Sequence, residues 1–163
     1  MSTRGVIARL VPSEDGIKFV GRFHHWDSYP DGLGQSLWAA YRHPFFNRDL
    51  QAMLAYLIDQ HPAGWSTING ATLGMPAGYD VAQYEAPDGR PDFSKPIPHG
   101  PQCHCHGSDL TRVDGELIVS HENASDIGCE WAYVFEQKDG HRHHARPALY
   151  ARQLGNDRHV WPW

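Results

Sequence analysis

The sequence lacks any apolar run that approaches the roughly 20 residues needed to cross a bilayer. It also lacks, at its start, a basic segment followed by an apolar one, the pattern of an export signal. These absences predict a protein without a membrane segment and with a cytoplasmic location.

Basic residues are scarce as well. The chain carries 14 Lys and Arg against 19 Asp and Glu, a net charge of -5. A protein that gains its affinity by neutralising phosphates needs a basic face. We therefore expect no nucleic-acid partner.

Several motifs of known enzyme classes are missing. Gly32-x-Gly34 does not continue into Gly-x-Gly-x-x-Gly, because Leu37 occupies the third position, and no P-loop lysine is present. Neither Gly-x-Ser-x-Gly nor His-Glu-x-x-His occurs. The sequence therefore contains no motif that would indicate a nucleotide-binding protein, a serine hydrolase or a zincin.

Cysteine is limited to three residues, so any disulfide scheme leaves one unpaired, and Cys-x-Cys closes too small a ring for an easy bridge. The stretch "GPQCHCHGSD" places thiols and imidazoles, the ligands of tetrahedral zinc, in four consecutive positions. We predict a structural zinc site made of Cys103, Cys105, Cys129 and one of His104 or His106, with His106 preferred. The alternative is reduced, partly buried cysteines beside surface histidines.

The 163 residues, 40% of them hydrophobic, predict a single domain over 1–163. "RGVIARL" and "IKFVGRFHHW" are typical of two strands joined in a hairpin, on which His24 and His25 point in opposite directions. "GELIVSHE" and "CEWAYVFEQ" predict further strands, and "ALYARQL" predicts a short helical stretch. Residues 70–107, rich in Pro and Gly, predict a long loop or lid.

Two helices are expected between the strands. The first begins at Asp31-Gly32 and ends at His43-Pro44. The second begins at an Asn47 N-cap and carries a core-facing stripe. The stripe consists of Leu50, Met53, Leu54, Leu57 and Ile58. This element order predicts an α+β fold with an antiparallel sheet covered on one face by two helices.

The junction between the second strand and the first helix is the predicted ligand site. Its candidate binding residues are His24, Trp26, Tyr29, Gly32 and Gly34. Backbone N–H groups at a helix start can receive an anion, so a small polar or anionic ligand, or a protein partner, is expected. The alternative is a tied turn, in which Asp27 accepts backbone hydrogen bonds.

The same stretch carries a family resemblance. "MSTRG", followed after a turn by "HHWDSYPDGLGQSL", resembles a group of small bacterial and phage proteins. These proteins open with Met-small-Thr-Arg and carry His-Trp-Asp-Gly-Tyr-Pro before a Gly-x-Gly helix start. The resemblance covers residues 2–38, with Ser28 where the group has glycine. It implies a shared fold and an important junction, and it implies no particular activity.

Two functions remain open at this point. The first is a zinc-stapled binding domain with its ligand at residues 24–34. The second is a hydrolase or transferase in which His25 and Asp27 form an acid/base pair. Its nucleophile would be water, a cysteine, or Ser2 exposed by removal of Met1.

Overall fold

The computed structural model describes residues 3–14, 16–68, 101–105, 115–138 and 146–154. These residues form a seven-stranded sheet with the order β4-β3-β2-β1-β6-β7, and β5 pairs with β2 off this path. The strands are β1 (Gly5–Ser13), β2 (Gly16–His24), β3 (Trp65–Thr67), β4 (Gln102–Cys103), β5 (Ile118–Ser120), β6 (Trp131–Lys138) and β7 (Arg146–Gln153).

The N-terminal hairpin is confirmed. β1 and β2 pair antiparallel along their whole lengths, from Gly5 opposite His24 to Ser13 opposite Gly16. Gly16 has φ of +121°, a conformation that glycine adopts without strain and that closes the turn.

The predicted α+β class is confirmed, but the sheet is mixed rather than antiparallel. β1 pairs parallel with β6, and β2 pairs parallel with β3. The remaining pairs are antiparallel. β1 therefore lies between a neighbour close in sequence and a neighbour more than a hundred residues further along the chain.

The helices combine π-helical and α-helical turns. A π-helical turn (Pro30–Gly34) continues into α1 (Gln35–Arg42), and α2 (Leu50–Leu54) continues into a second π-helical turn (Ala55–Asp59). All five residues of the predicted stripe are buried. The predicted Asn47 N-cap is wrong, because the Asp49 side chain accepts a 2.9 Å hydrogen bond from the N–H of Ala52 and caps α2 instead.

Buried side chains form two clusters that follow the alternation of the strands. Ile7 and Tyr133 pack with the helices, while their strand neighbours, such as Val6 and Ala132, pack in the second cluster. Residues after β5, among them Ala124, complete the second cluster. The sheet thus has apolar contacts on both faces.

Two predictions for the second half of the chain need correction or fall partly outside the described residues. "ALYARQL" is wrong as a helix, because residues 148–153 belong to β7, which pairs with β6 from Trp131–Gln153 to Lys138–Arg146. Of the predicted loop over 70–107, the structure describes only 101–105, which contain β4. Within the described part of the chain, no helix is long and apolar enough to cross a membrane.

Candidate functional site

The backbone of the junction is sharply turned after β2 ends at His24. Asp27 has φ of +54°, a left-handed conformation that aspartate tolerates better than most residues. Its carbonyl accepts a 3.0 Å hydrogen bond from the N–H of Leu33. A Cβ on Gly32 would lie 2.5 Å from this carbonyl oxygen, so the turn requires glycine there.

The helix start does not offer the N–H groups that an anion would need. The N–H groups of Gly32 and Gly34 both donate to the carbonyl of Tyr29, at 3.0 and 3.3 Å. Leu33 donates to Asp27, so these three donors are satisfied within the backbone. The predicted basis for anion binding is therefore absent at residues 32–34.

His24 and Ser28 are the buried polar residues of the junction, with 1% and 0% of their surfaces exposed. Its Nδ1 lies 2.7 Å from Oγ of Ser28, and Ser28 Oγ also donates to the His24 carbonyl over 3.5 Å. The hydroxyl of Tyr133, on β6, donates a 2.8 Å hydrogen bond to the Ser28 carbonyl and so stabilises the turn. Ser28 therefore holds the imidazole in place, a role that glycine cannot fill.

Burial keeps the imidazole of His24 neutral. Desolvation, reinforced by the nearby His25 and His104, lowers its pKa to about 3. His24 therefore carries no charge at neutral pH. The Nε2 atom, on the other side of the ring, has no hydrogen-bond partner among the described residues.

A pocket of about 330 Å³ opens at this junction. Of the five predicted ligand residues, His24, Trp26 and Gly32 line it, whereas Tyr29 and Gly34 are absent from its described wall. The sequence interpretation missed Asp31, Ser36 and Thr67, which also line it. Thr67 comes from β3, whose parallel pairing with β2 was not predicted.

The predicted acid/base pair is not joined in the structure. Among the described residues no hydrogen bond connects His25 with Asp27, and the His25 ring instead packs against Trp26, Phe23 and His104 at centroid distances of 4.7, 5.8 and 6.4 Å. Burial and then the charge of Arg4 lower the pKa of His25. Ser2, the alternative nucleophile, lies outside the described residues.

A second group of functional side chains lies beside β3 and β4. One ligand atom each of His61, Cys103 and Cys105 lies within 4.8 Å of the others. His61 and Cys103 are buried, and Cys105 is half-buried. This group could hold a metal ion.

Backbone pairing brings the three ligands together. Cys103 on β4 lies opposite Trp65 on β3, and the N–H of His104 donates to the carbonyl of Gly64 over 3.0 Å. Gly64 has φ of +82°, and a Cβ there would lie 2.6 Å from the carbonyl of Phe23. Only glycine fits at position 64, and the turn that it forms places His61 beside the two cysteines.

The surroundings of the group fix its orientation. The His61 ring packs against both Trp65 and Tyr56, at centroid distances of 4.4 and 4.9 Å. The N–H of Ala63 donates to Sγ of Cys105 over 3.2 Å, a contact that fixes the position of the sulfur. Such outer contacts set the position and basicity of metal ligands.

The predicted zinc ligands are only partly brought together. Cys103 and Cys105 meet, but Cys129 packs in the second core cluster, with Sγ 3.5 Å from the carbonyl of Gly5. Burial raises the pKa of Cys129 to about 12, so it remains a thiol. His106 lies outside the described residues. His61 was missed, because its only local signal is a histidine before proline at a helix end.

The resemblance of residues 2–38 to small bacterial and phage proteins rests on the junction, which the structure shows to be built around a buried histidine and serine. The family itself stays a prediction. Comparisons of the chain with protein-family models, with curated proteins and with solved structures found no match in any of the three.

Proposed function

We propose that this protein is a zinc-binding domain in which His61, Cys103 and Cys105 hold one Zn²⁺ as a structural staple. The observation that carries the proposal is the convergence of three ligand atoms within 4.8 Å from two separate segments of the chain. Zinc accepts both thiolate and imidazole ligands in a tetrahedral site, so these three side chains would leave a fourth position for water or a further ligand.

The charge of the group favours a divalent ion. Two thiolates and one neutral imidazole carry two negative charges, which Zn²⁺ neutralises. A neutral complex avoids the high cost of a buried net charge, and this matters because His61 and Cys103 are both buried. Soft thiolate ligands also disfavour magnesium and calcium.

A structural role follows from what the site connects. β4 has only two residues and pairs with β3 at the end of the sheet, so its own hydrogen bonds give it little stability. A metal ion bound by Cys103, Cys105 and His61 would fasten β4 to the turn that follows the second helix. The reduced thiols that such a site requires support the predicted cytoplasmic location.

The test is metal analysis of the purified, untagged chain by inductively coupled plasma mass spectrometry. We expect about one zinc per chain. Removal of zinc by a chelator should lower the free energy of unfolding by roughly 3 kcal/mol and the Tm by roughly 10 °C. A chain that binds no zinc after refolding with excess Zn²⁺, or an unchanged melt after verified zinc removal, would contradict the proposal.

Cysteine variants identify the ligands. Cys105→Ala should lose zinc, whereas the matched variant Cys129→Ala should keep one ion per chain, because Cys129 lies in the other core cluster. Cobalt substitution adds a readout that does not depend on stability. The thiolate-to-cobalt absorption band should weaken in Cys105→Ala and stay unchanged in Cys129→Ala. Loss of the band in both variants would favour the ligand set predicted from sequence, and an unchanged band in Cys105→Ala would contradict the proposal.

A further inference from the structure

The proposed zinc site contains two thiols that lie close to each other. The ligand atoms of His61, Cys103 and Cys105 lie within 4.8 Å of one another, so the two sulfurs are at most this far apart. Both cysteines are reduced, and residues 104 and 105 lie in a turn rather than in a strand. A disulfide places its sulfurs about 2 Å apart. A small movement of this turn therefore brings the two sulfurs within bonding distance.

The two cysteines differ in their access to solvent. Cys103 is 2% exposed, whereas Cys105 is half-buried. The thiolate is the form of cysteine that reacts with peroxides, and a bound zinc ion requires both cysteines to be thiolates. A small oxidant therefore reaches the thiolate of Cys105 first, and the thiolate of Cys103 lies beside it.

Cys129 provides a comparison within the same chain. It is 5% exposed and packs in the second core cluster, where burial raises its pKa to about 12. At neutral pH it is a buried thiol, which reacts slowly with peroxides. Oxidation should therefore distinguish Cys103 and Cys105 from the third cysteine.

We propose that a peroxide such as hydrogen peroxide oxidises Cys103 and Cys105 to a disulfide, which releases the zinc ion and loosens β4. The site is then a reversible redox switch. This inference rests on the proposed function, because it describes the regulation of the same zinc site.

The oxidation has two steps. In the first, the Cys105 thiolate attacks a peroxide oxygen: an S–O bond forms, the O–O bond breaks, hydroxide leaves, and Cys105 becomes a sulfenic acid. In the second, the Cys103 thiolate attacks this sulfur: an S–S bond forms, the S–O bond breaks, and a second hydroxide leaves. The two sulfurs together lose two electrons to the peroxide, and two protons from solvent convert the hydroxides to water.

The zinc ion leaves because the thiolate is the form of cysteine that binds a metal, and oxidation removes both thiolates. Of the three proposed ligands, His61 alone then remains. Among the described contacts, β4 keeps its short pairing with β3 and the 3.0 Å hydrogen bond from the N–H of His104 to the carbonyl of Gly64. The small ring closed by Cys-x-Cys is strained, and strained disulfides are easily reduced. Thiol reductants therefore reverse the oxidation.

The test adds hydrogen peroxide to the full-length, zinc-loaded chain and follows zinc release with a colorimetric chelator. Release should be at least about tenfold faster than with the chelator alone, because the oxidant attacks an accessible thiolate. We expect one released zinc ion for each disulfide between Cys103 and Cys105, measured by mass spectrometry of peptides. Dithiothreitol followed by Zn²⁺ should restore the zinc-bound protein.

Cys129→Ala is the matched control. It should release zinc at the rate of the natural chain, because Cys129 lies in the other core cluster. Peptide mapping of the natural chain identifies the oxidised cysteines in the same way, so the assignment does not depend on the folding of this variant.

The possible failures are distinguishable. A chain that binds no zinc before peroxide is added would overturn the proposed function and this inference with it. Zinc that binds but is retained during peroxide treatment would overturn this inference alone. So would zinc release in which Cys105 is oxidised while Cys103 stays a thiol, or a disulfide that contains Cys129.

Discussion

Acidification should destabilise this protein through His24. In the folded chain the pKa of this buried imidazole is about 3, whereas its ordinary value is 6.5. Below pH 6.5 the unfolded chain therefore binds a proton that the folded chain does not accept until the pH approaches 3. By linkage, the stabilising effect of a neutral His24 is complete above pH 6.5 and is lost progressively between pH 6.5 and 3.

The size of the effect follows from the two pKa values. Each pH unit in this window costs up to about 1.4 kcal/mol, so by pH 5 the loss reaches about 2 kcal/mol. The charged groups that act on His24 are His25 and His104, and a charge on either opposes the protonation of His24.

The assay compares the natural chain with His24→Asn, which can still donate to Ser28 but does not titrate. Urea unfolding followed by tryptophan fluorescence at pH 8, 7, 6 and 5 gives the free energy of unfolding of each protein. Metal release at low pH and the titration of other histidines affect both proteins and cancel in the difference. The stability advantage of the natural chain should shrink by about 2 kcal/mol from pH 8 to pH 5. A difference that stays constant with pH would refute the assignment of a neutral, desolvated His24.

Two further substitutions test the packing. Gly21→Ala should cost at least about 3 kcal/mol, because its Cβ would lie 1.9 Å from the carbonyl oxygen of Ile7; a urea midpoint close to that of the natural chain would contradict the close approach of β1 and β2. Asp49→Ala should cost about 1 kcal/mol through loss of the cap to Ala52, whereas Asn47→Gly, which suits the positive φ of that residue, should change stability by less than about 0.5 kcal/mol. Equal losses in thermal unfolding would show that Asp49 is not the cap.

The elements that depend on local pattern were predictable. The hairpin β1–β2 follows from two strand-like runs around a turn, and the buried stripe of the second helix follows from its apolar spacing. The N-cap was missed because Asn47 and Asp49 are both good capping residues two positions apart, and only the backbone conformation distinguishes them.

The elements that depend on distant partners were not predictable. Residues 148–154 are mostly good helix formers, but pairing with β6 along its whole length overrides this local preference. No local sequence pattern indicates that β6 is the parallel partner of β1. The mixed character of the sheet therefore emerges only from the tertiary structure.

In the candidate sites too, the residues with a local sequence signal were predicted and those selected by tertiary contacts were missed. Cys103 and Cys105 stand out by composition, but their third partner, His61, is selected by the pairing of β3 with β4. Cys129 looked equally suitable in sequence and is directed into another cluster by its position before β6. At the junction, the buried histidine is His24, and its partner is Ser28 rather than Asp27.

The parallel pairing of β1 with β6 also has a consequence for synthesis on the ribosome. β1 emerges early, but the strand that covers its second edge begins only at Trp131. At translation rates of roughly 5–20 residues per second, that edge stays uncovered for on the order of ten seconds. Uncovered strand edges pair readily with other chains. We expect aggregation of this protein during expression to begin in this interval, and slower translation to increase it.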